Sequence, residues 1–361
     1  MSTLTSLESK ITLKHGAGGR AMRTLIESVF VERFASTSRD EVGLAASGEV
    51  GLAAPDEVGL AAMDDGAALR LGDRWLVLTT DSHVVHPRFF PGGDIGRLSI
   101  SGTVNDLAMM GATEVLALTC GVILEEGFPM EDLERIQASM ADACRESGAR
   151  IVTGDTKVMG RGEIDGIAIN TAGVALTDRV VRDSTLRPGD VILVSGTMGD
   201  HGLAILAARK ELDIGASLRS DVAPINDLVR RVLAAGGDGV VAMKDPTRGG
   251  LASALHEMAE KSRVGILLDE AKIPISAAVR AASELLGIDP LHVANEGKAV
   301  IGVRPEATER VLSALLSHPL GADAAIVGRC AEARPGTVIL DTGFGKRFLN
   351  EVEGEPLPRI C

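Results

Sequence analysis

Five aspartates stand beside small residues at the ends of apolar stretches: Asp65 in MDDGAAL, Asp81 in TTDS, Asp106 in VNDLAMMGA, Asp155 in TGDTK and Asp245 in KDPTRGG. Small neighbours let a backbone or a ligand come close. Each aspartate alone fits a cap or a turn as well as it fits a ligand. As a set they point to a shared cation, because like charges converging on one place repel unless something positive lies between them. Magnesium takes carboxylate and phosphate oxygens and completes its octahedron with water. An acidic protein that holds a nucleotide's phosphates through magnesium is the chemistry this set supports.

Glycine-rich segments fit the same reading. HGAGGRAM, with Gly18 and Gly19, and DPTRGGLASAL, with Arg248 and Gly249, set glycines against a helix start, where free N–H groups bind phosphate. Neither is a Walker A loop, and GFGKRF near Gly343 lacks both the first glycine and the Ser/Thr after the lysine. Lys157 follows Asp155 and Thr156, and a lysine there could hold a phosphate or a developing oxyanion. Glu296 in ANEGK could serve as a base. Both also read as solvated charges. His83 and His86 lie on or after a strand and read as structural or surface residues. His201 in GDHG reads as a turn residue opening a helix. The chain closes on PLPRIC, a terminal thiol at Cys361 on a segment that Pro356 and Pro358 keep out of helix.

Composition removes whole classes of function. A net charge of -13 disfavours nucleic acid, which needs an excess of Lys and Arg. With 2% aromatics and no Tyr, base-stacking platforms are not expected. No run of about 18 apolar residues predicts a membrane span, and MSTLTSLESK lacks a signal-peptide core. Cys120, Cys144, Cys330 and Cys361 make neither a C-x-x-C pair nor a disulfide framework, so a reducing cytoplasm is expected.

The elements that must position these residues follow from apolar spacing. A strand is predicted from Trp75 to Thr80, ending at Asp81, then a helix from Ile95 to Met110. EVLALTCGVIL predicts a strand, MEDLERIQASMADACRESGA a helix stopped by Gly148, RIVTGDTK a short strand running into a loop, and EIDGIAINTAGVAL another strand. LRPGDVILVSG restarts the pattern at a turn. Helices are predicted near Gly202–Lys210, Pro224–Ala235, Gly250–Lys261, Ser276–Leu286 and Ala307–Ser317. Strands fall near Val191–Ser195, Gly265–Leu268, Lys298–Val303, Ala325–Val327 and Val338–Leu340. The order implies two α/β domains of mixed α+β character, at 1–176 and 177–349, with a mobile tail at 350–361. EVGLAA recurs at Glu41, Glu49 and Glu57. Its period of eight fits neither heptads nor solenoids, so 41–63 is expected to be a surface loop that flanks a site without contributing to it.

The stretches HGAGGRAM, FFPGGDIG, GTVNDLAMMGA, IVTGDTKV, VSGTMGDHG, DPTRGGL, VANEGK and the closing PRIC run in one order along nearly the whole chain. Together they resemble the HypE family of hydrogenase maturation proteins, a branch of the aminoimidazole ribonucleotide synthetase superfamily. The resemblance implies the two-domain fold of that superfamily, a homodimer joined through its N-terminal sheets, and an ATP and Mg2+ site near the interface. It implies a carbamoyl group placed on Cys361 by the carbamoyltransferase HypF and ATP-dependent dehydration to a thiocyanate. Cyanide would then pass to iron on the HypC–HypD complex. By the same resemblance Lys157 and Glu296 handle protons, Asp65 (or Asp64), Asp81, Asp106 and Asp245 hold metal, and Asp155, Thr156, Asn105, Gly18, Gly19, Arg248 and Gly249 hold nucleotide. A small-molecule kinase of the same superfamily and an iron-carrying scaffold with Cys361 as a ligand are the competing readings.

Overall fold

The computed structural model describes residues 10–16, 19–35, 58–212, 217–351 and 360–361. Gly18, the first two EVGLAA copies and most of the tail lie outside the described residues. Helices α1 (Gly19–Leu25) and α2 (Glu32–Ala35) flank a π-helical turn at Ile26–Val31. Strands β1 (Ala67–Leu71) and β2 (Arg74–His83) form a hairpin whose two-residue connection places Gly72 at φ +58°, as tight hairpin turns require. The short pair β3 (Phe89–Phe90) and β4 (Gly93–Asp94) leads into α3 (Ile95–Met109). Then come β5 (Glu114–Glu125), α4 (Met130–Ser147), β6 (Ile151–Met159) and β7 (Ile167–Thr177). The first sheet has the order β1-β2-β7-β5-β6, and its β5–β6 pair is parallel.

Helix α3 is the axis of the molecule. It is buried on nearly every side. The Asp94 carboxylate caps it by accepting from the N–H groups of Gly96 and Arg97 at 2.8 and 3.0 Å, an arrangement worth about 1 kcal/mol. One side packs on β2 and β7, while Ala108 and Met109 join Leu228, Val229 and Met243 in a core shared with the second half of the chain.

That second half comprises β8 (Val191–Val194), α5 (Asp200–Arg209), α6 (Asn226–Gly236), β9 (Val240–Lys244), α7 (Gly250–Ser262) and β10 (Gly265–Asp269). It continues through α8 (Ala277–Leu286), β11 (Val300–Val303), α9 (Thr308–Leu316), β12 (Ala325–Ala331), β13 (Val338–Asp341) and β14 (Lys346–Phe348). Its sheet runs β14-β13-β10-β12-β8-β11-β9. The chain is thus a mixed α/β protein built on two sheets. No described helix is long and apolar enough to cross a membrane.

Three differences from the sequence expectation matter for the site. β2 runs through Asp81 to His83, so Asp81 sits within a strand. β6 does not give way to a loop: parallel pairing with β5 carries it through Asp155 and Lys157 to Met159. The third EVGLAA copy is not a bystander, because Val58 is buried and bridges to Ala68.

Candidate active site

A cavity of about 710 Å³ opens between the first sheet and the β9–α7 connection. Asp64, Asp65, Asp81, Asp106, Asp245, Arg248, Glu296 and Cys361 all line it. Residues two apart on a strand share a face, so β2 directs Thr79, Asp81 and His83 together toward α3. The Thr79 hydroxyl meets the Asp106 carboxylate at 3.0 Å and the Asp65 carbonyl at 2.9 Å. His83 Nε2 lies 3.1 Å from Asp81 Oδ2. α3 passes close enough that a Cβ on Gly102 would come within 2.9 Å of His83 Nε2 and 3.0 Å of Asp81 Oδ2. Glycine there keeps the cavity floor open.

The acids repel one another. Burial pushes the Asp106 carboxyl well above its usual range, and Asp245, Asp81 and Asp65 add to the shift. Burial and the charge of Asp65 raise Asp245 to about 8. Burial and Asp183 raise Asp64 to about 7. Asp81 behaves differently: burial opposes its ionisation, but His83 and Arg248 hold it at about 2. Asp65 Oδ2 is buried without a hydrogen-bond partner. An all-oxygen, under-neutralised set suits a hard cation. Among the described residues, no group of three or more His, Cys, Asp or Glu is arranged to hold a metal ion.

Sequence reasoning passed over the cations behind these acids. Lys244 Nζ donates to Asp65 Oδ1 at 2.6 Å and lies 3.3 Å from Glu257 and 3.5 Å from Asp183. Lys261 pairs with Asp183 at 2.6 Å and donates to the Met63 carbonyl. Arg23 of α1 grips Glu351 with two bonds of 2.6 and 2.9 Å and lies 3.3 Å from Glu257. The legible signal was the apolar run VVAM leading into KDPTRGG, a buried strand that must deliver Lys244 inside. Gly59, Leu60 and Met63 also line the cavity, so the third repeat copy forms part of its wall.

The chain's end lies in this cavity. Ile360 is buried in the first-sheet core, and Cys361 packs against it. The Val84 N–H donates to the Cys361 backbone oxygen at 3.2 Å. Negative charge at Cys361 is the largest influence raising the proton affinity of the Arg248 guanidinium. The Glu296 backbone N–H is tied to Asp221 Oδ1 at 3.0 Å, while its Oε1 is buried and unpartnered. Burial, with Asp245 and Asp81 adding to it, raises the Glu296 carboxyl well above the usual range.

Other predicted residues lie elsewhere. Asn105 spends its amide on backbone: Nδ2 donates to the carbonyls of Ala223 and Glu296, and Oδ1 accepts from the Ile225 N–H. It therefore ties α3 to the second half of the chain. Gly19 opens α1 at φ +65° and Gly249 precedes α7 at φ +79°. A Cβ at Gly249 would strike Ser253 Oγ. Neither glycine lines the cavity. Asp155, Thr156 and Lys157 stand on exposed β6, with Lys157 Nζ 3.2 Å from Asp155 Oδ2. The registers place Asp155 and Lys157 beside Gly121 and Ile123, on the sheet face that carries Thr119, Ala172 and Thr80 of the cavity wall.

Residues 63–177 match the N-terminal domain, and residues 187–341 the C-terminal domain, of AIR synthase related protein. The carbamoyl dehydratase HypE of Rhizobium leguminosarum bv. viciae is 45% identical over 98% of this chain and 95% of its own length. A crystal structure of a HypE–HypF complex superimposes with a TM-score of 0.80 at 42% identity, covering 91% of this chain and 99% of that one. HypE crystallised with ATP gives 0.76 at 40% identity, covering 98% and 100%. The chain belongs to the AIR synthase related family, in its HypE branch of carbamoyl dehydratase enzymes.

Proposed function

We propose that the protein dehydrates an S-carbamoyl group on its own Cys361 to a thiocyanate, consuming ATP. The cyanide so formed supplies the iron centre of a [NiFe]-hydrogenase. The observation that carries this reading is the seating of the terminal residue in the cavity of acids, Arg248 and Glu296. An amide oxygen leaves poorly. Once it carries the γ-phosphoryl group of ATP it departs as phosphate, and the C–N bond gains its remaining order as both nitrogen protons are lost. The sum is thiocarbamate plus ATP giving thiocyanate, ADP, phosphate and a proton. Glu296, with its raised proton affinity and free Oε1, takes a proton from the nitrogen. Arg248 faces the charge developing on oxygen. Asp65, Asp81, Asp106 and Asp245 would hold Mg2+, which neutralises phosphate charge.

The reading extends to assembly. Two copies join through exposed β6, so that the partner subunit's Asp155, Thr156 and Lys157 complete the site. Ile151, Val152 and Val158 make this edge apolar as well as exposed, and an unprotected edge of that kind pairs with another strand. HypF delivers the carbamoyl group in the cytoplasm, and the HypC–HypD complex takes the cyanide.

Mass spectrometry of the C-terminal peptide tests the chemistry. A carbamoyl adduct on Cys361 should lose one water when Mg-ATP is added. An adduct that persists beside hydrolysed ATP would defeat the proposal.

A further inference from the structure

His201, which sequence reading treated as a turn residue, is fully buried at the start of α5. The local chain fixes it tightly. Gly199 precedes the helix at φ +88°, its N–H donates to Asn295 Oδ1 at 2.7 Å, and the Gly202 N–H donates to the Ala294 carbonyl at 3.1 Å. The ring makes an edge contact with Phe90 at 5.6 Å and 89°.

Both ring nitrogens are engaged. Nε2 lies 2.6 Å from the Ile360 carbonyl, and Nδ1 lies 2.8 Å from Ser220 Oγ. Ser220 Oγ already accepts from the Val222 N–H at 3.1 Å, which leaves its own hydrogen to donate to Nδ1. A carbonyl can only accept, so Nε2 carries the ring proton. Burial favours this neutral ring. The chain Val222 N–H, Ser220 hydroxyl, His201 ring and Ile360 carbonyl therefore runs in one donor direction and ends one residue before the terminal thiol.

We infer that His201 is a positioning residue: oriented by Ser220, it captures the Ile360 carbonyl and so sets Cys361 in the cavity. With the Ile360 side chain in the core and the Val84 N–H on the terminal oxygen, the last two residues are held at three places. The capture itself is independent of what chemistry follows. Its effect on dehydration rests on the function proposed above.

Two readouts on the full-length chain separate these. The first is alkylation of Cys361, followed on the C-terminal peptide so that Cys120, Cys144 and Cys330 do not count. His201→Leu should speed it at least tenfold, and His201→Gln, which keeps a donor near Nε2, should recover most of the protection. Ser220→Ala should fall between them, and it decides the matter if His201→Leu does not fold. The second is the single-turnover loss of water from carbamoylated chain. His201→Leu should slow it by about 100-fold, the cost of a reacting group misplaced by about 1 Å, with ATP affinity little changed and with recovery in His201→Gln. Unaltered alkylation in both His201→Leu and Ser220→Ala overturns the capture. Altered alkylation in a protein whose wild type loses no water overturns the function and leaves the capture standing.

Discussion

Replacing Lys244 by Met probes the balance of charge on which the site rests. The ammonium is buried among three carboxylates: Asp65 at 2.6 Å, Glu257 at 3.3 Å and Asp183 at 3.5 Å. In an effective dielectric of about 20, one unit pair near 4 Å gains about 4 kcal/mol. Three such pairs outweigh the several kcal/mol that burying the ammonium costs. Met fills nearly the same volume, so the loss is electrostatic. Removing one member of a buried ionic set costs about 3–5 kcal/mol, a large share of the roughly 5–15 kcal/mol that holds a typical domain.

The sign with pH follows from the acids left behind. Carboxyls whose proton affinity rises in the folded state bind protons that the unfolded chain has already released, so the folded state loses ground as pH rises. Asp64, at about 7 with Lys244 present, moves higher without it, because Lys244 is one of the charges holding it down. Urea unfolding at about pH 5.5 and about pH 8 should therefore show the larger deficit at the higher pH. A deficit equal at both pH values, or one below about 1 kcal/mol, would refute the charge-balance argument.

Glu296→Gln should slow water loss from the adduct by about 100-fold or more while leaving ATP binding intact; an unaltered single-turnover rate would remove Glu296 from proton transfer. Mg2+ should displace protons from Asp245, at about 8, and Asp64, at about 7. Titration calorimetry near neutral pH in buffers of different ionisation enthalpy should then show proton release that vanishes well above pH 8, and heats that do not depend on the buffer would contradict it. In the cation-free protein these raised carboxyls make stability fall as pH climbs from about 4 to about 8, as melting temperatures should show. If two copies complete each other's sites as proposed, mixing Lys157→Ala with Glu296→Gln should restore about a quarter of wild-type turnover, because half the dimers would be mixed and each of those would carry one intact site. No recovery after subunit exchange would place Lys157 and Glu296 in the same chain's site.

Asp65, Asp81, Asp106 and Asp245 stood out in the sequence because each interrupts or ends an apolar stretch beside small residues, and all four line one cavity. Cys361 drew notice through the PRIC segment that carries it, and it too lines that cavity. Asp155 and Lys157 misled locally: TGDTK looks like a loop, yet parallel pairing with β5 holds it extended, and pairing between strands is not written in either strand alone. Lys244 was missed because an isolated lysine reads as a surface charge. Its burial depends on Asp65, which is 179 residues away in sequence. His201 was missed for the same reason, since the carbonyl it holds is 159 residues away. The repeat looked functionless as a period, and only the contacts of Val58, Leu60 and Met63 show that its last copy was recruited as a wall.

The central claim is that ATP activates the carboxamide oxygen on Cys361. Carbamoylating the chain with heavy oxygen in that carboxamide, then adding Mg-ATP, follows that one atom. The account predicts that the label leaves with the phosphate while the C-terminal peptide becomes a thiocyanate free of it. Phosphate carrying only solvent oxygen, with the label still on the peptide or released as water, would contradict it.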